Sequence, residues 1–397
     1  MNYEQLSMYY HKYIKITFFI FFLIVLIIKF FSRYKDWEIP SYSRDIVFSS
    51  DGQLLATASG EGKYGKSSKV EIRNIENKTT IQSLDFLYAT HITFSHDNSL
   101  IVAGNYYGDI KVWRLDDGKL IHSVNKAFTD GGQIAFLAFS PDQKTLVASA
   151  TVRSTSTNRN ITSVIAWNLV NGEQHYALST PANCAAVSFD SKIFAVSSFK
   201  KPLSIYRLED GKLLKKIEKG SNTCRRLRFS NDGKLIAFAS IFVEKNGVYI
   251  ISLLDEKLVR VISHYDPYKY QELPSDIAIS PDGNYLAVSY GVIEGNDSIM
   301  IGPSFDFPKG LFGKVRYWHI KSGLPIATHR VHWMDTRAIA FSPDGKWLAS
   351  VSGGRENNRV RLWRMPPYSG WFWLLGTAGF VTLVYYRRKE ILEWLDI

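Results

Sequence analysis

Only two cysteines occur in the 397 residues, so the dense disulfide framework of a small secreted module is excluded and the chain must be held by packing. Glycine is sparse at 27 residues, which excludes a collagen-like repeat. Charged residues reach only 21%, against 46% apolar and 14% aromatic, a balance incompatible with intrinsic disorder. No long heptad run appears, and apolar stretches of membrane length occur only at the two ends, so a coiled coil and a polytopic transporter also fail. What remains is a chain long enough for several ordinary domains or for one closed repeat architecture.

The ends read as membrane segments. Residues 16–28, ITFFIFFLIVLII, are uncharged but reach only about 20 Å as a helix, against roughly 30 Å of hydrocarbon. Ile14, Phe30 and Phe31 lengthen the run, while Lys15 and Lys29 can snorkel, so a span over 14–31 is feasible. The following KFFSRYKDWEIP has no small-residue cleavage site, which favours an uncleaved anchor over a signal peptide. Residues 368–386 carry no charge, bear Trp371 and Trp373 near one edge and Tyr385 and Tyr386 at the other, and stop at Arg387, Arg388 and Lys389. Those are the interfacial anchors of a spanning helix.

Between the ends one pattern recurs seven times. An apolar run ends in an anchor, a polar turn follows and a second apolar run begins, as in ITFSHDNSLIVAG from Ile92, LRFSNDGKLIAFAS from Leu227 and IAFSPDGKWLASVS from Ile339. The anchors are read as Phe48, Phe94, Phe139, Phe189, Phe229, Ile279 and Phe341, so the turn of the fourth copy comes out two residues short. A third run follows in each copy, such as IKVWRL from Ile110 and VRLWRM from Val360, and in six copies a fourth, such as KLIHSV from Lys119. Period-two alternation separated by Asp-Gly, Asn-Gly and Ser-Gly turns makes these strands. Four strands in each unit of about 45 residues form a propeller blade, and seven blades close a ring with few exposed edges.

These residues resemble the WD40 repeat family over roughly Trp37 to Met365, with FSPDGKWLAS the most characteristic phrase. The resemblance implies an all-β, seven-bladed propeller of four-stranded antiparallel blades, serving as an interaction scaffold rather than an enzyme. Trp113, Trp167, Trp318 and Trp363 stand where the family has its Trp, but Arg114, Asn168, His319 and Arg364 follow in place of Asp, and the Gly-His dipeptide is absent. The family's Asp-His-Ser-Trp network is therefore not identifiable from sequence. The family also implies that an N-terminal strand completes the last blade, a role that fits DWEIPSYS from Asp36 because Pro366 ends the seventh copy after three strands.

The domain plan is thus an N-terminal tail and anchor helix (1–35), a propeller (36–366), a C-terminal transmembrane helix (367–388) and a short charged tail (389–397). In an antiparallel blade the start of the fourth strand lies beside the end of the third. Both membrane segments are accordingly expected to leave one face, with the loops between second and third strands, and the links between blades, on the opposite, free face.

Several motifs turn out to be mechanical. Residues 60–67, GEGKYGKS, fit the phosphate-loop formula, but that chemistry needs a following helix, and SKVEIRNI reads as a strand. Gly302 to Asp306 makes no nucleophile elbow. His329 and His332 read as a solvated loop pair without metal partners. Asp51, Asp142, Asp232, Asp282 and Asp344 recur because turns want them. Cys184 and Cys224 each precede their anchors by five residues, and such equivalent positions on neighbouring blades are expected to lie too far apart to bridge, leaving free thiols. No catalytic residue, metal or cofactor is expected.

Two binding readings remain. The insertion GVIEGNDSIMIGPSFDFPKGLFG from Gly291 carries Ile299, Met300, Phe305, Phe307 and Phe312, and the preceding link carries Tyr265, Tyr268 and Tyr270. Such apolar and aromatic loop surface is the composition of a protein-binding patch. Arg44, Arg225 and Arg337 each stand four residues before an anchor, where guanidiniums around the channel mouth can hold a carboxylate or phosphate. The formal charge is +11, and removing eight basic and four acidic residues at the ends leaves +7 on the propeller. No continuous basic stripe accompanies it, so nucleic acid is not expected, and the bilayer is the nearest anion.

The reading that follows is a membrane-anchored, non-enzymatic scaffold with a protein partner on its free face and the bilayer at both ends. Its rivals are a lipid-headgroup or anion sensor at the channel mouth, and an enzyme using that mouth. Charge flanking the spans is five on the terminal side against six on the propeller side, so the expected free thiols and family habit tilt the propeller toward the cytosol. Oligomeric state is not legible.

Overall fold

The structure is a computed structural model that describes residues 34–38, 43–59, 68–128, 132–153, 160–169, 172–180, 182–197, 201–218, 223–241, 247–263, 273–291, 313–332, 336–352 and 359–365. Asp36–Leu362 forms one compact unit; Met1–Lys35 with Trp363–Ile397 is grouped as a second. Among the described residues no helix is long and apolar enough to cross a membrane. The two apolar segments, 14–31 and 368–386, lie outside the described residues.

The described residues form 28 strands in seven four-stranded sheets. Strand β1 (Tyr34–Glu38) comes first in the chain but belongs to the last sheet. Blade one holds β2 (Ser43–Phe48), β3 (Leu54–Ser59), β4 (Lys69–Asn74) and β5 (Thr80–Asp85). Blade two holds β6 (Ala89–Phe94), β7 (Leu100–Asn105), β8 (Ile110–Arg114) and β9 (Leu120–Val124). Blade three holds β10 (Gln133–Phe139), β11 (Thr145–Arg153), β12 (Asn160–Asn168) and β13 (Gln174–Leu178). Blade four holds β14 (Cys184–Val187), β15 (Ile193–Ser197), β16 (Leu203–Arg207) and β17 (Leu213–Ile217). Blade five holds β18 (Thr223–Phe229), β19 (Leu235–Ile241), β20 (Gly247–Ser252) and β21 (Leu258–Ser263). Blade six holds β22 (Leu273–Ile279), β23 (Tyr285–Gly291), β24 (Gly313–His319) and β25 (Pro325–His332). Blade seven holds β26 (Thr336–Phe341), β27 (Trp347–Ser352) and β28 (Arg359–Arg364), with β1 beside β28 as its fourth strand.

The expected all-β, seven-bladed ring, closed by the N-terminal strand, is thus the observed one. The strand that closes it begins at Tyr34, two residues before the expected Asp36. The phosphate-loop formula lies outside the described residues, and the chain that follows it is the strand β4, as its alternation requires.

Each blade buries both faces, and the core is the set of interfaces between blades. One cluster joins Ile72 and Leu84 of blade one to Ile92, Ile101 and Trp113 of blade two, and another joins Ile205 of blade four to Leu227 and Phe238 of blade five. Side chains such as Phe194 and Phe238 are completely enclosed, each contributing roughly 1.5–3 kcal/mol.

The first turn of every blade is built alike. A serine hydroxyl donates to the aspartate two residues on, from Ser49–Asp51 through Ser342–Asp344, at 2.5–2.7 Å. The same oxygen accepts the amide five residues on at 2.8–3.1 Å. At Asp232 the Ser230 hydroxyl is the main influence holding the carboxyl below its ordinary range. The recurring aspartates are therefore turn residues.

This sevenfold pattern corrects the fourth copy. Its serine is Ser188, bonded to Asp190, so the anchor is Val187 and the turn has the same length as the others. Phe189, read from sequence as the anchor, is a turn residue 50% exposed. At the outer edge, fourth strands reach the next blade's last turn. The Tyr176 hydroxyl donates to the Leu208 carbonyl (2.7 Å), and its ring lies where a Cβ on Gly211 would come within 2.8 Å. Arg260 donates to the Lys321 carbonyl (2.8 Å), and Lys215 pairs with Glu256 at 2.7 Å.

Candidate functional site

Strand alternation gives one position of each innermost strand, three residues before the corrected anchor, a side chain directed at the next blade. The seven occupants are Asp45, His91, Phe136, Cys184, Arg226, Asp276 and Ala338. Asp45 Oδ2 accepts the Ile92 amide of blade two (3.0 Å). His91 hydrogen-bonds the backbone at Ile134 of blade three. Arg226 approaches Asp276 Oδ1 at 3.4 Å, joined there by Arg228 at 3.3 Å. Asp276 Oδ2 in turn accepts the Ile339 amide of blade seven (3.0 Å). Phe136 and Ala338, apolar, make no polar reach from this position, and Cys184 crosses covalently.

The ring is electrically coupled. Burial is the main influence pushing Asp45 up to about 6; the Ile92 amide and the Arg226 and Arg228 charges oppose it, and Asp276 adds to it. Burial, then the charges of Arg226 and Arg228, press His91 well below the usual imidazole range. Its Nδ1 has no hydrogen-bond partner among the described residues. Two carboxylates, Asp45 and Asp276, thus feel two guanidiniums from blade five.

The fourth member corrects the expectation of free thiols. Cys184 and Cys224 form a disulfide with Cα atoms 6.0 Å apart. They are not equivalent positions: with Val187 as the anchor, Cys184 stands three residues before it, whereas Cys224 stands five before Phe229. That two-residue offset along the strand brings the sulfurs together.

Arg44, Arg225 and Arg337 share a feature that the sequence only hinted at. Between Ser43 and Asp45, Cys224 and Arg226, and Thr336 and Ala338 the pairing skips one residue, and the skipped residue is the arginine. A β-bulge re-aims its extra side chain and strengthens the local twist. All three are half-buried and engaged with neighbouring groups. Thr90, Ala135 and Ser275 fill the same bulge in blades two, three and six.

The face bearing the loops between second and third strands carries a surface that the sequence reading passed over. In the turn Asn105 to Asp109, Asn105 Oδ1 accepts the amides of Tyr107 (2.9 Å) and Asp109 (2.8 Å), and its Nδ2 donates to Asp109 Oδ2 (3.0 Å). The Lys126 amide donates to the other Asp109 oxygen (2.9 Å). This fixed turn presents Tyr106 and Tyr107, 48% and 50% exposed, next to Leu87 at 58%. Tyr107 meets Tyr88 edge-on at 5.2 Å and Tyr106 at 5.9 Å. Beside them a cleft of about 390 Å³ is lined by Lys69, Asp85, Phe86, Leu87, Tyr107 and Lys111, among others. The sequence signal was present: two adjacent tyrosines at the tip of a short Asn-to-Asp turn.

The partner-binding residues expected from sequence, Tyr265, Tyr268, Tyr270, Ile299, Met300, Phe305, Phe307 and Phe312, all lie outside the described residues. His329 and His332 are corrected from loop to strand, since both belong to β25. His332 is buried, its Nε2 3.1 Å from Ser350 Oγ. Burial, then the Arg361 charge, depress it to about 3. The His332–Ser350 contact thus joins the fourth strand of blade six to β27 of blade seven, a link that the sequence had not revealed. Among the described residues no cluster of three or more His, Cys, Asp or Glu is placed to hold a metal ion.

Comparison with known proteins agrees with this geometry. Residues 323–364, from the last turn of blade six to the end of β28, match the family profile described as WD domain, G-beta repeat. Human apoptotic protease-activating factor 1 is 32% identical over 92 residues, covering 22% of this chain and 6% of that protein. Periodic tryptophan protein 2 of Saccharomyces cerevisiae is 22% identical over 310 residues, 71% of this chain and 30% of that protein. An uncharacterised WD repeat-containing protein of Synechocystis is 26% identical over 137 residues, 34% of this chain and 30% of that protein. The chain therefore spans less than a third of the length of these curated relatives. The fold is a seven-bladed propeller, and its residues 323–364 are similar to the WD domain, G-beta repeat.

Proposed function

We propose that this protein is a membrane-anchored, non-enzymatic scaffold whose loop face engages a protein partner. WD40-type propellers generally bind proteins, and the observation that carries the reading here is the rigid turn presenting Tyr106 and Tyr107. Tyrosines held in place lose little entropy on binding, and aromatic anchors beside a cleft dominate interface energetics. In this reading the blade-six insertion, which follows the second strand of its blade in sequence, and the link bearing Tyr265, Tyr268 and Tyr270 extend the proposed surface. Anchoring rests on the apolar segments 14–31 and 368–386.

The test is to purify the full-length chain from membranes with whatever it retains, identify the retained protein, and measure its affinity. Tyr106→Ala with Tyr107→Ala is expected to weaken binding at least tenfold, and deletion of 296–312 to weaken it further. Unchanged affinity in both variants removes the proposed surface. Recovery of the chain in the soluble fraction after alkaline carbonate removes the anchoring.

A second reading is favoured by one observation: three bulges aim Arg44, Arg225 and Arg337 from equivalent levels of the ring. In that reading the mouth senses an anion, and replacing all three by Gln abolishes binding of phosphoinositide-containing vesicles. Vesicle binding that survives the triple variant sets it aside.

A further inference from the structure

We propose that the Cys184–Cys224 disulfide is formed in the working protein, and that the propeller therefore folds and acts in an oxidising compartment. The chain holds two cysteines in all, and they meet. They sit on the innermost strands of adjacent blades, both almost completely buried, with a Cα separation of 6.0 Å inside the range that a disulfide requires. The place is not arbitrary. In blades one and six the same strand position crosses to the next blade with an aspartate, through Asp45 to Ile92 and Asp276 to Ile339. In blade four the crossing is covalent.

Forming it removes two protons and two electrons from the thiols, and the electrons pass by thiol–disulfide exchange to the compartment's disulfide oxidant. Reducing compartments keep such pairs as thiols. Burial then shields the finished bond from exchange, so it acts as a fixed staple rather than a cycling redox centre. The tilt toward a cytosolic propeller rested on free thiols and family habit, and it loses the first of these supports. Charge flanking the two apolar segments, five against six, opposes neither side. Together with the anchoring proposed above, on which this last step rests, the two chain ends then face the cytosol.

The experiment uses the full-length protein in its own cells. Cells are quenched in acid, denatured, and their free thiols blocked with N-ethylmaleimide; the sample is then reduced and treated with maleimide-polyethylene glycol. Two additions per chain are expected, and none in a Cys184→Ser, Cys224→Ser double variant. A wild-type chain that gains none had free thiols, which overturns the proposal. In sealed vesicles with the cytosolic face outward, added protease should remove tags at both ends and spare the propeller; digestion of the propeller with protected tags overturns the sidedness. Carbonate extraction of the same vesicles tests the anchoring separately, so the failure of one reading is distinguishable from that of the other.

Discussion

The Ile339 amide of blade seven donates to Asp276 Oδ2 of blade six across 3.0 Å, while the other oxygen of that carboxylate meets Arg226 and Arg228 of blade five. One side chain thus ties three blades at the channel wall. It is 1% exposed, so its charge depends on these partners rather than on water.

Asp276→Ala leaves an amide and two guanidiniums without their acceptor. The expected cost is about 3 kcal/mol, with a lower thermal unfolding midpoint for the full-length chain in detergent. Asp276→Asn keeps an acceptor for Ile339 and is expected to lose less. Equal midpoints for the two variants would show that the carbonyl oxygen contributes nothing.

The disulfide closes a sequence separation of 40 residues, for which chain-entropy reasoning gives about 4 kcal/mol. Dithiothreitol in denaturant should therefore lower the unfolding midpoint of the wild type and leave that of the Cys184→Ser, Cys224→Ser variant unmoved. A reductant-insensitive wild type would contradict the staple.

Asp45 and His332 respond to pH with opposite signs. Asp45 is raised from 3.8 to about 6 in the fold, so its contribution is fully present below about pH 4 and lost as pH rises through 6. Asp45→Asn is expected to stabilise the protein at pH 8, on the order of 1–3 kcal/mol, and to give no gain at pH 4. His332 is lowered from 6.5 to about 3, so its contribution is present above pH 6.5 and declines as pH falls toward 3. Imidazole NMR of the folded protein should show neutral His332 at pH 5; a protonated ring there contradicts the buried Ser350 pair.

Ile134 of blade three packs against Gly104 of blade two so closely that a Cβ would come within 2.7 Å of the isoleucine Cγ2. Gly104→Ala should cost about 1–3 kcal/mol by overpacking. Adding Ile134→Ala, which removes both Cγ atoms that the new Cβ would meet, should return part of it in a double-mutant cycle. Additive losses would place the strain elsewhere.

Blade count, strand order and ring closure were legible because alternation and turn chemistry are local and repeat seven times. The fourth anchor was misread because an aromatic residue, Phe189, stands two positions after the smaller Val187, and hydrophobicity alone chose the larger. Only the Ser188–Asp190 bond fixes the phase, and that error carried directly into the cysteines, whose meeting depends on a two-residue offset. The arginines were legible by spacing, whereas the bulges that aim them are properties of strand pairing. Tyr106 and Tyr107 were overlooked because a short turn was weighed below a long insertion, although the Asn105 and Asp109 bonds make the short turn the more rigid platform. His332 was read as solvated because burial there depends on β26 to β28, chain that follows it.

Closure by β1 beside β28 makes the ring a band fastened at a seam, and the sulfur bond rivets a joint well around the circumference from that seam. If the fastening slips, blades can peel away from either free edge, but the damage halts where four meets five. A circle opened at its seam is therefore expected to keep blades four and five together while its ends fray.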